Sequence, residues 1–227
     1  MANVVVTGTP SLDADLVARF ENFGVATVHE AMGRRGLLST DLLPVIADRS
    51  IAGRAVTVLC WPGDNLMIHA AVEQCSPGDV LVVTTVSPNT DGLFGELFAT
   101  ALLARGVRGL VTTTGVRDTA DLRRLGFPVW SRAVSAQGSV KATGGSVNVP
   151  IVIGNAIIHP SDLIVADADG IVCVPRLDAP DIAAKSDARE AKEAHAREQY
   201  RVGALSLDLN GLRPILRSVG VEYHPFT

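Results

Sequence analysis

Three residues in the stretch from Gly95 to Asp118, GELFATALLARGVRGLVTTTGVRD, have types that could work together on a small anion: Glu96 near its front and the pair Arg117-Asp118 at its end. Arginine offers a fixed cationic fork that suits a carboxylate or a developing oxyanion. Aspartate is a hard oxygen ligand, and one protein carboxylate completed by waters and substrate oxygens is an ordinary shell for magnesium. Glu96 is the second residue of a helix opened by Gly95. The amides of Leu97 and Phe98 at that helix start make a site for a carboxylate. The same residues also read as a surface Arg-Asp pair with Glu96 as a helix-dipole partner. Spacing alone does not choose between the two.

Other chemistries find less support. The chain has no G-x-x-x-x-G-K-[ST], no strand-coupled G-x-G-x-x-G, no G-x-S-x-G and no HExxH. A Schiff-base lyase needs a desolvated lysine. The lysines here are Lys185 and Lys192 in a charged helix and Lys141 in the polar loop QGSVKATGG. Covalent imine chemistry is therefore disfavoured, which leaves a metal as the way to hold an enolate. His69 lies on the apolar segment NLMIHAAVEQ and reads as core or pocket wall, and His29 as a partly exposed helix residue. His159 and His224 precede prolines and read as loop residues. Asp64 could cap the helix that follows it. DADG, Asp167 to Gly170, is too short for an EF-hand and fits a hairpin turn.

The elements that must position these residues can be read from periodicity. Leu12, Leu16, Val17 and Phe20 share one helical face, Thr27 and Glu30 form a capping-box pattern, and Gly33 offers a stop. From Ile51 onward come runs of Val and Ile punctuated by Gly, Pro, Asp or Asn: IAGRAVTVLC, PGDVLVV, GLVTTT, FPVWSRAV, VPIVI and DLIVADADGIVCVP. These read as strands. Helices are expected over Asn65–Glu73 and Gly95–Arg105, the second with Leu97, Ala101 and Ala104 as its apolar stripe and Gly106 as its cap. After them, PDIAAKSDAREAKEAHAREQYRVG has strong helix propensity and a Glu193–Arg197 pair at i, i+4. The sum is mixed α/β, with sheet layers covered by helices. The carboxyl end of the strand GLVTTT and the helix start at Gly95 can then face one cleft.

The totals set the frame. With 227 residues, 47% apolar and 19% charged, the chain is globular and one domain spanning 1–227 suffices. A net charge of −4 without a basic stripe makes nucleic acid an unexpected ligand. No apolar run reaches the ~20 residues of a membrane span. MANVVVTGTPSL has no charged n-region before a long apolar run, so no secretory signal is expected. Cys60, Cys75 and Cys173 are odd in number and widely spaced, which fits free thiols in a reducing cytosol. A phosphohistidine swivelling domain would need a histidine beside its Gly-Gly turn, and GGSVNVP has none.

At these residues the sequence resembles the class II pyruvate aldolases that cleave 4-hydroxy-4-methyl-2-oxoglutarate and 4-carboxy-4-hydroxy-2-oxoadipate, in the superfamily of the regulator of ribonuclease E activity A. The likeness runs through GVATVHEAMGRRGLL, PGDNLMIHAAVEQCSPGDVLVV, the Gly95–Asp118 stretch, FPVWSRAVSAQGSVKATGGSVNVPIVIGNAIIHPSDLIVADADGIVCVP and the charged final helix. It implies a layered α/β/β/α swivelling domain, a homotrimer or homohexamer with sites at its interfaces, and a C-terminal helical extension over about 179–220 packing on a neighbouring subunit. It implies Asp118 as ligand of Mg2+ or Mn2+, and Arg117 with the backbone of Gly95 to Phe98 as the pyruvate-binding group. Asn65 and Lys141 match positions lining the far end of the pocket. Glu193 matches an acid from the neighbouring subunit that touches the metal through water. Oxaloacetate decarboxylation is the implied side activity; a cytoplasmic, membrane-free location is expected from the cysteine usage and the apolar runs themselves. The superfamily also holds enzymes for other oxo acids and non-catalytic ribonuclease regulators, although those regulators lack the acid after the arginine. Glu96 stands where these aldolases use Asp to orient a water for proton transfer. Its extra methylene moves the carboxylate by ~1.5 Å, and a shift of ~1 Å can cost ~10²-fold where geometry is critical.

Overall fold

The computed structural model describes residues 3–226. The chain divides into two compact units, Met1–Ala184 and Lys185–Thr227. The first unit starts with β1 (Val4–Val5), α1 (Ala14–Asn22) and α2 (Val25–Ala31), then β2 (Leu43–Pro44) and the long β3 (Ile51–Cys60). Next come α3 (Leu66–Val72), β4 (Asp79–Thr85), β5 (Gly92–Phe94), α4 (Glu96–Ala104), β6 (Gly109–Val116), α5 (Thr119–Leu125) and β7 (Val129–Val134). After β8 (Ser146–Val147), the hairpins β9 (Ile151–Ile153)/β10 (Ala156–Ile158) and β11 (Leu163–Asp167)/β12 (Gly170–Val174) lead to α6 (Ala179–Arg201). This helix begins in the first unit and runs into the second, which also holds α7 (Ser206–Leu209) and α8 (Arg213–Ser218).

β3, β4, β6 and β7 lie side by side and parallel, joined through α3, α4 and α5. One row across them reads Val58, Val83, Thr112, Ser131. The free edge of β3 pairs antiparallel with β11 through its first half and with β8 near its end. Alternation along the strands then sorts side chains onto opposite faces. In β4, Leu81 and Val83 pack under α3–α5, while Val80 and Val82 face the second β layer. In β11, Ile164 and Ala166 face that same interlayer, while Leu163 and Val165 pack against α1 and α2. The layers of the first unit are therefore α, β, β and α, with three apolar interfaces between them. Each buried Val, Leu or Phe in them contributes ~1.5–3 kcal/mol relative to exposure.

Three local expectations change. The second helix starts at Val25 with Gly24 as N-cap, so Thr27 sits inside its first turn and no capping box forms. Asp167, at the end of β11, replaces that cap by accepting from the Val25 amide at 2.8 Å. In α4 the buried positions are Ala99 and Leu102, and Leu97 is 77% exposed. The helix is apolar nearly all round, so its sequence period could not say which face is inward. Finally, α5 follows Asp118 directly where only a turn was expected. Gly106 does close α4 in the left-handed region (φ 72°), with the Val107 amide bonded back to Leu102 at 3.0 Å. The DADG hairpin is present, with Asp167 opposite Gly170.

At the end of the sheet where β4 begins, Arg54 (9% exposed) makes a two-pronged ion pair with Asp79 at 2.8 and 2.6 Å. The Thr9 hydroxyl bonds the same guanidinium at 2.6 Å. Among the described residues, no helix is long and apolar enough to cross a membrane.

Candidate functional site

The site forms where β6 ends and α4 begins. Val116 is the last residue of β6, and the Arg117 amide bonds the Phe94 carbonyl at 2.9 Å, which ties the strand end to the chain entering α4. Asp118 then adopts a left-handed backbone, φ 56° and ψ 37°. Aspartate tolerates this region better than most residues. The turn brings its Oδ2 to 3.2 Å from the Glu96 amide at the first residue of α4, and to 3.7 Å from Arg117 Nε. The amides of Leu97 and Phe98 have no backbone acceptor among the described residues.

Gly95 makes this approach possible. Its backbone is extended (φ −158°) and open to any residue, so the requirement is for space. A Cβ here would collide with Asp118 Oδ2 and lie 3.0 Å from Arg117 Cγ.

Arg117 and Asp118 stand at a cavity of about 270 Å³. Leu93, Gly95, Leu97, Phe98 and Ala101 form one wall, and Asn65, His69, Val72 and Lys141 form the other. The i, i+4 pair Leu97 and Ala101, expected in the core, thus faces the pocket. His69 packs on Phe98 with ring centroids 4.5 Å apart. Burial, and then the charge of Lys141, lower the pKa of its imidazole, which keeps it neutral at pH 7.

Lys141 is carried by a loop pinned on both sides. The Val140 amide bonds the Gly63 carbonyl at 2.9 Å, and the Asn65 amide bonds the Val140 carbonyl at 3.1 Å. Asp64, 2% exposed, accepts from Leu66 at 2.9 Å through Oδ1, and from Ala142 and Thr143 at 2.8 and 2.7 Å through Oδ2. Burial pushes its carboxyl up, but the Leu66, Ala142 and Thr143 amides outweigh this and hold it below the usual carboxylate range. Asn65, not Asp64, is the N-cap of α3; Asp64 accepts from the first residue of that helix and also fixes the lysine loop. That second role was not legible in the sequence, because its partners lie 78 and 79 residues away.

Asn65 carries an unmet demand. Its Nδ2 donates to the Leu93 carbonyl at 2.9 Å, which fixes the amide orientation. Its Oδ1 is buried in the pocket wall with no hydrogen-bond partner. A buried acceptor left unpaired costs ~1–3 kcal/mol.

Gly95, Leu97, Phe98, Arg117, Asp118, Asn65 and Lys141 are thus gathered in one place, whereas the Glu96 carboxylate is not. Glu96 contributes its amide, but its carboxylate accepts from Thr100 Oγ1 at 2.8 Å, one turn along α4, and it does not line the cavity. Glu193 lies in the second unit, where it pairs with Arg189 at 2.9 Å.

The profile of the RraA-like family, described as Aldolase/RraA, matches residues 25–173. The chain belongs to this family. A protein of Halalkalibacterium halodurans named "Putative 4-hydroxy-4-methyl-2-oxoglutarate aldolase" is 28% identical over 207 residues, 91% of this chain and 96% of that one. A Shewanella oneidensis protein of the same name is 29% identical over 119 residues, 52% of this chain and 72% of that relative. Among solved structures, Streptomyces coelicolor RraAS2, described as an unusual member of the RNase ES inhibitor RraA protein family, superposes with a TM-score of 0.75 at 27% identity. That likeness covers 84% of this chain and 99% of RraAS2. An uncharacterized protein of Pseudomonas syringae shares the fold, with a TM-score of 0.77 at 23% identity over 89% of this chain and all of that one. Family membership and the mixed α/β fold are therefore established.

Proposed function

We propose that the chain is a carbon–carbon lyase that splits a 4-hydroxy-2-oxo acid into pyruvate and a second oxo acid. The substrates in view are 4-hydroxy-4-methyl-2-oxoglutarate and 4-carboxy-4-hydroxy-2-oxoadipate. The observation that carries this reading is the convergence of Arg117, Asp118 and the unpaired amides at the start of α4 on one cavity. The names of the two bacterial relatives support it.

Asp118 offers a hard carboxylate, 39% exposed in its side chain. One such ligand completed by waters and substrate oxygens suits Mg2+ or Mn2+. A cation held there would supply Lewis acidity toward the 2-keto oxygen. The remaining work falls to the chain. Arg117 and the Leu97 and Phe98 amides bind the substrate carboxylate and stabilise the negative charge that develops on the keto oxygen. Asn65 Oδ1 accepts from a substrate hydroxyl, and Lys141 meets a carboxylate at the far end.

Glu96 takes up the 4-hydroxyl proton through a water, which requires its carboxylate to leave Thr100. As the proton departs, the C4–O bond becomes a carbonyl and the C3–C4 pair passes into pyruvate enolate. A proton returned to C3 completes pyruvate. Oxaloacetate would lose CO2 through the same enolate. Glu193 from a second copy in a trimer or hexamer would complete the site.

Pyruvate release from a panel of oxo acids, with Mg2+ or Mn2+ and with chelator, tests the assignment. Arg117→Ala should lower kcat by ~10²–10³. Asp118→Asn, which keeps a residue tolerant of the left-handed backbone, should abolish metal-dependent turnover while leaving Tm unchanged. Full turnover in either variant ends the proposal. A binding role, which the likeness to RraAS2 favours, would instead show as a wild-type protein inert on the whole panel.

A further inference from the structure

The interlayer between the parallel sheet and the β9/β10 hairpin is apolar through Val82, Val111, Trp130 and Ile153. Its upper end is not. Val83, Thr112 and Ser131 are aligned on β4, β6 and β7, and the next residue on each strand is Thr84, Thr113 and Arg132. An irregularity in the β6–β7 register begins after Thr112; such bulges re-aim side chains. Together with the hairpin residues Val152 to Gly154, these three side chains line a cavity of about 220 Å³ at the carboxyl ends of the strands. Ligands of open α/β sheets gather at that end. The cavity shares no lining residue with the one at Arg117 and Asp118.

Some donors here are left without a protein acceptor among the described residues. Thr84 and Thr113 are 7% and 5% exposed, and their hydroxyls share a single hydrogen bond of 2.9 Å. Whichever one donates, the other's proton has no acceptor among the described residues. Arg132 spends N–H groups on Asp41 at 2.7 and 3.4 Å and on the Thr113 carbonyl at 3.3 Å. Those bonds use three of the guanidinium's five donors, so two remain. Valine in place of both threonines would continue the apolar layer with nearly the same shape. Replacing both partners of a buried hydrogen bond in this way is close to neutral or stabilising, so folding alone does not call for the hydroxyl pair.

We propose that this cleft is a second binding site, for the carboxylate of a small organic anion, held by Thr84, Thr113 and Arg132. Asp41 already balances the charge of Arg132, so the cleft favours a singly charged planar acceptor over a phosphate dianion. Affinity should be modest, with Kd near ~1 mM. The site stands independently of the lyase reading.

Titration of acetate into Arg117→Ala protein, with inorganic phosphate in a parallel arm, tests it by amide NMR with the main cavity's guanidinium removed. Saturable acetate shifts at Thr84, Thr113 and Arg132 are expected, with weaker phosphate binding. In an Arg117→Ala protein that also carries Thr84→Val and Thr113→Val, acetate binding should weaken at least ~tenfold, while Tm stays level or rises. Three results would each overturn the proposal: no saturation, shifts confined to the cavity at Asp118, or a lower Tm in the double valine protein with acetate binding retained. Tighter binding of phosphate than of acetate would overturn the carboxylate assignment. The position of the shifts decides the matter even where the valine variants fail to fold.

Discussion

The side-chain amide of Asn65 is held by the Leu93 carbonyl, and its own oxygen is left without a donor inside the pocket wall. Such an arrangement costs stability. Asn65→Leu would lose the bond to Leu93 but also the cost of the orphaned oxygen, so stability should change by no more than ~1 kcal/mol. Turnover of hydroxylated oxo acids should fall at least ~tenfold, because a site built to pair a hydroxyl loses its partner. Urea denaturation and kcat/KM measured on the same preparations check both halves. The sequence placed Asn65 at the pocket through family likeness; its unmet acceptor became visible only once Leu93, 28 residues away, was in place. Glu96 shows the opposite case. Its position was legible, but the direction of its carboxylate was not, because Thr100 is one of several partners a surface glutamate can take.

At the scale of elements, strands were the more legible part. β3 spans the run Ile51–Cys60 in full, and the hairpin at DADG closes as its turn residues require. Helices were less so: α4 is too uniformly apolar to reveal its inner face, and α2 takes its cap from Asp167, a residue 142 positions away. The loop 140–143 depends on Asp64 in a comparable way. Asp64→Asn offers one acceptor oxygen where two are now used, so some of the three amides lose their partner. The expected cost is ~1–3 kcal/mol, with KM raised more than kcat is lowered as Lys141 loses its fixed position. Because the folded carboxyl lies below its usual pKa, its contribution is fully present above ~3.9. That contribution is lost as pH falls through the depressed folded value. Acid titrations of stability should therefore be shallower for Asp64→Asn than for the wild type in that range.

Considered whole, the first unit stakes its stability on three apolar interfaces, and a thiol reports on each of two of them. Cys60 and Cys75 lie under α3–α5, and Cys173 lies between the β layers. Burial pushes the Cys60 and Cys75 thiols up to about 12, and Cys173 is raised well above its ordinary value. Since the thiolate is the reactive form, none should label at pH 8 in the folded protein. Labelling rates followed by mass spectrometry should match the rate of global opening at all three; fast labelling of one alone would show that its interface opens separately. This layering was legible as a class of fold from the alternation of Val and Ile, whereas the assignment of each cysteine to an interface needed the strand register.

The methyl-sized gap at Gly95 constrains how this protein can change. A fully randomised codon there should return only glycine among active clones, since even the smallest side chain drives the aspartate away from the helix start. Two positions along, at the exposed Leu97, the same library should return many residues with altered substrate preference. Variation in what the cavity accepts is therefore expected to enter through its outer lip, with the hinge between strand and helix held invariant.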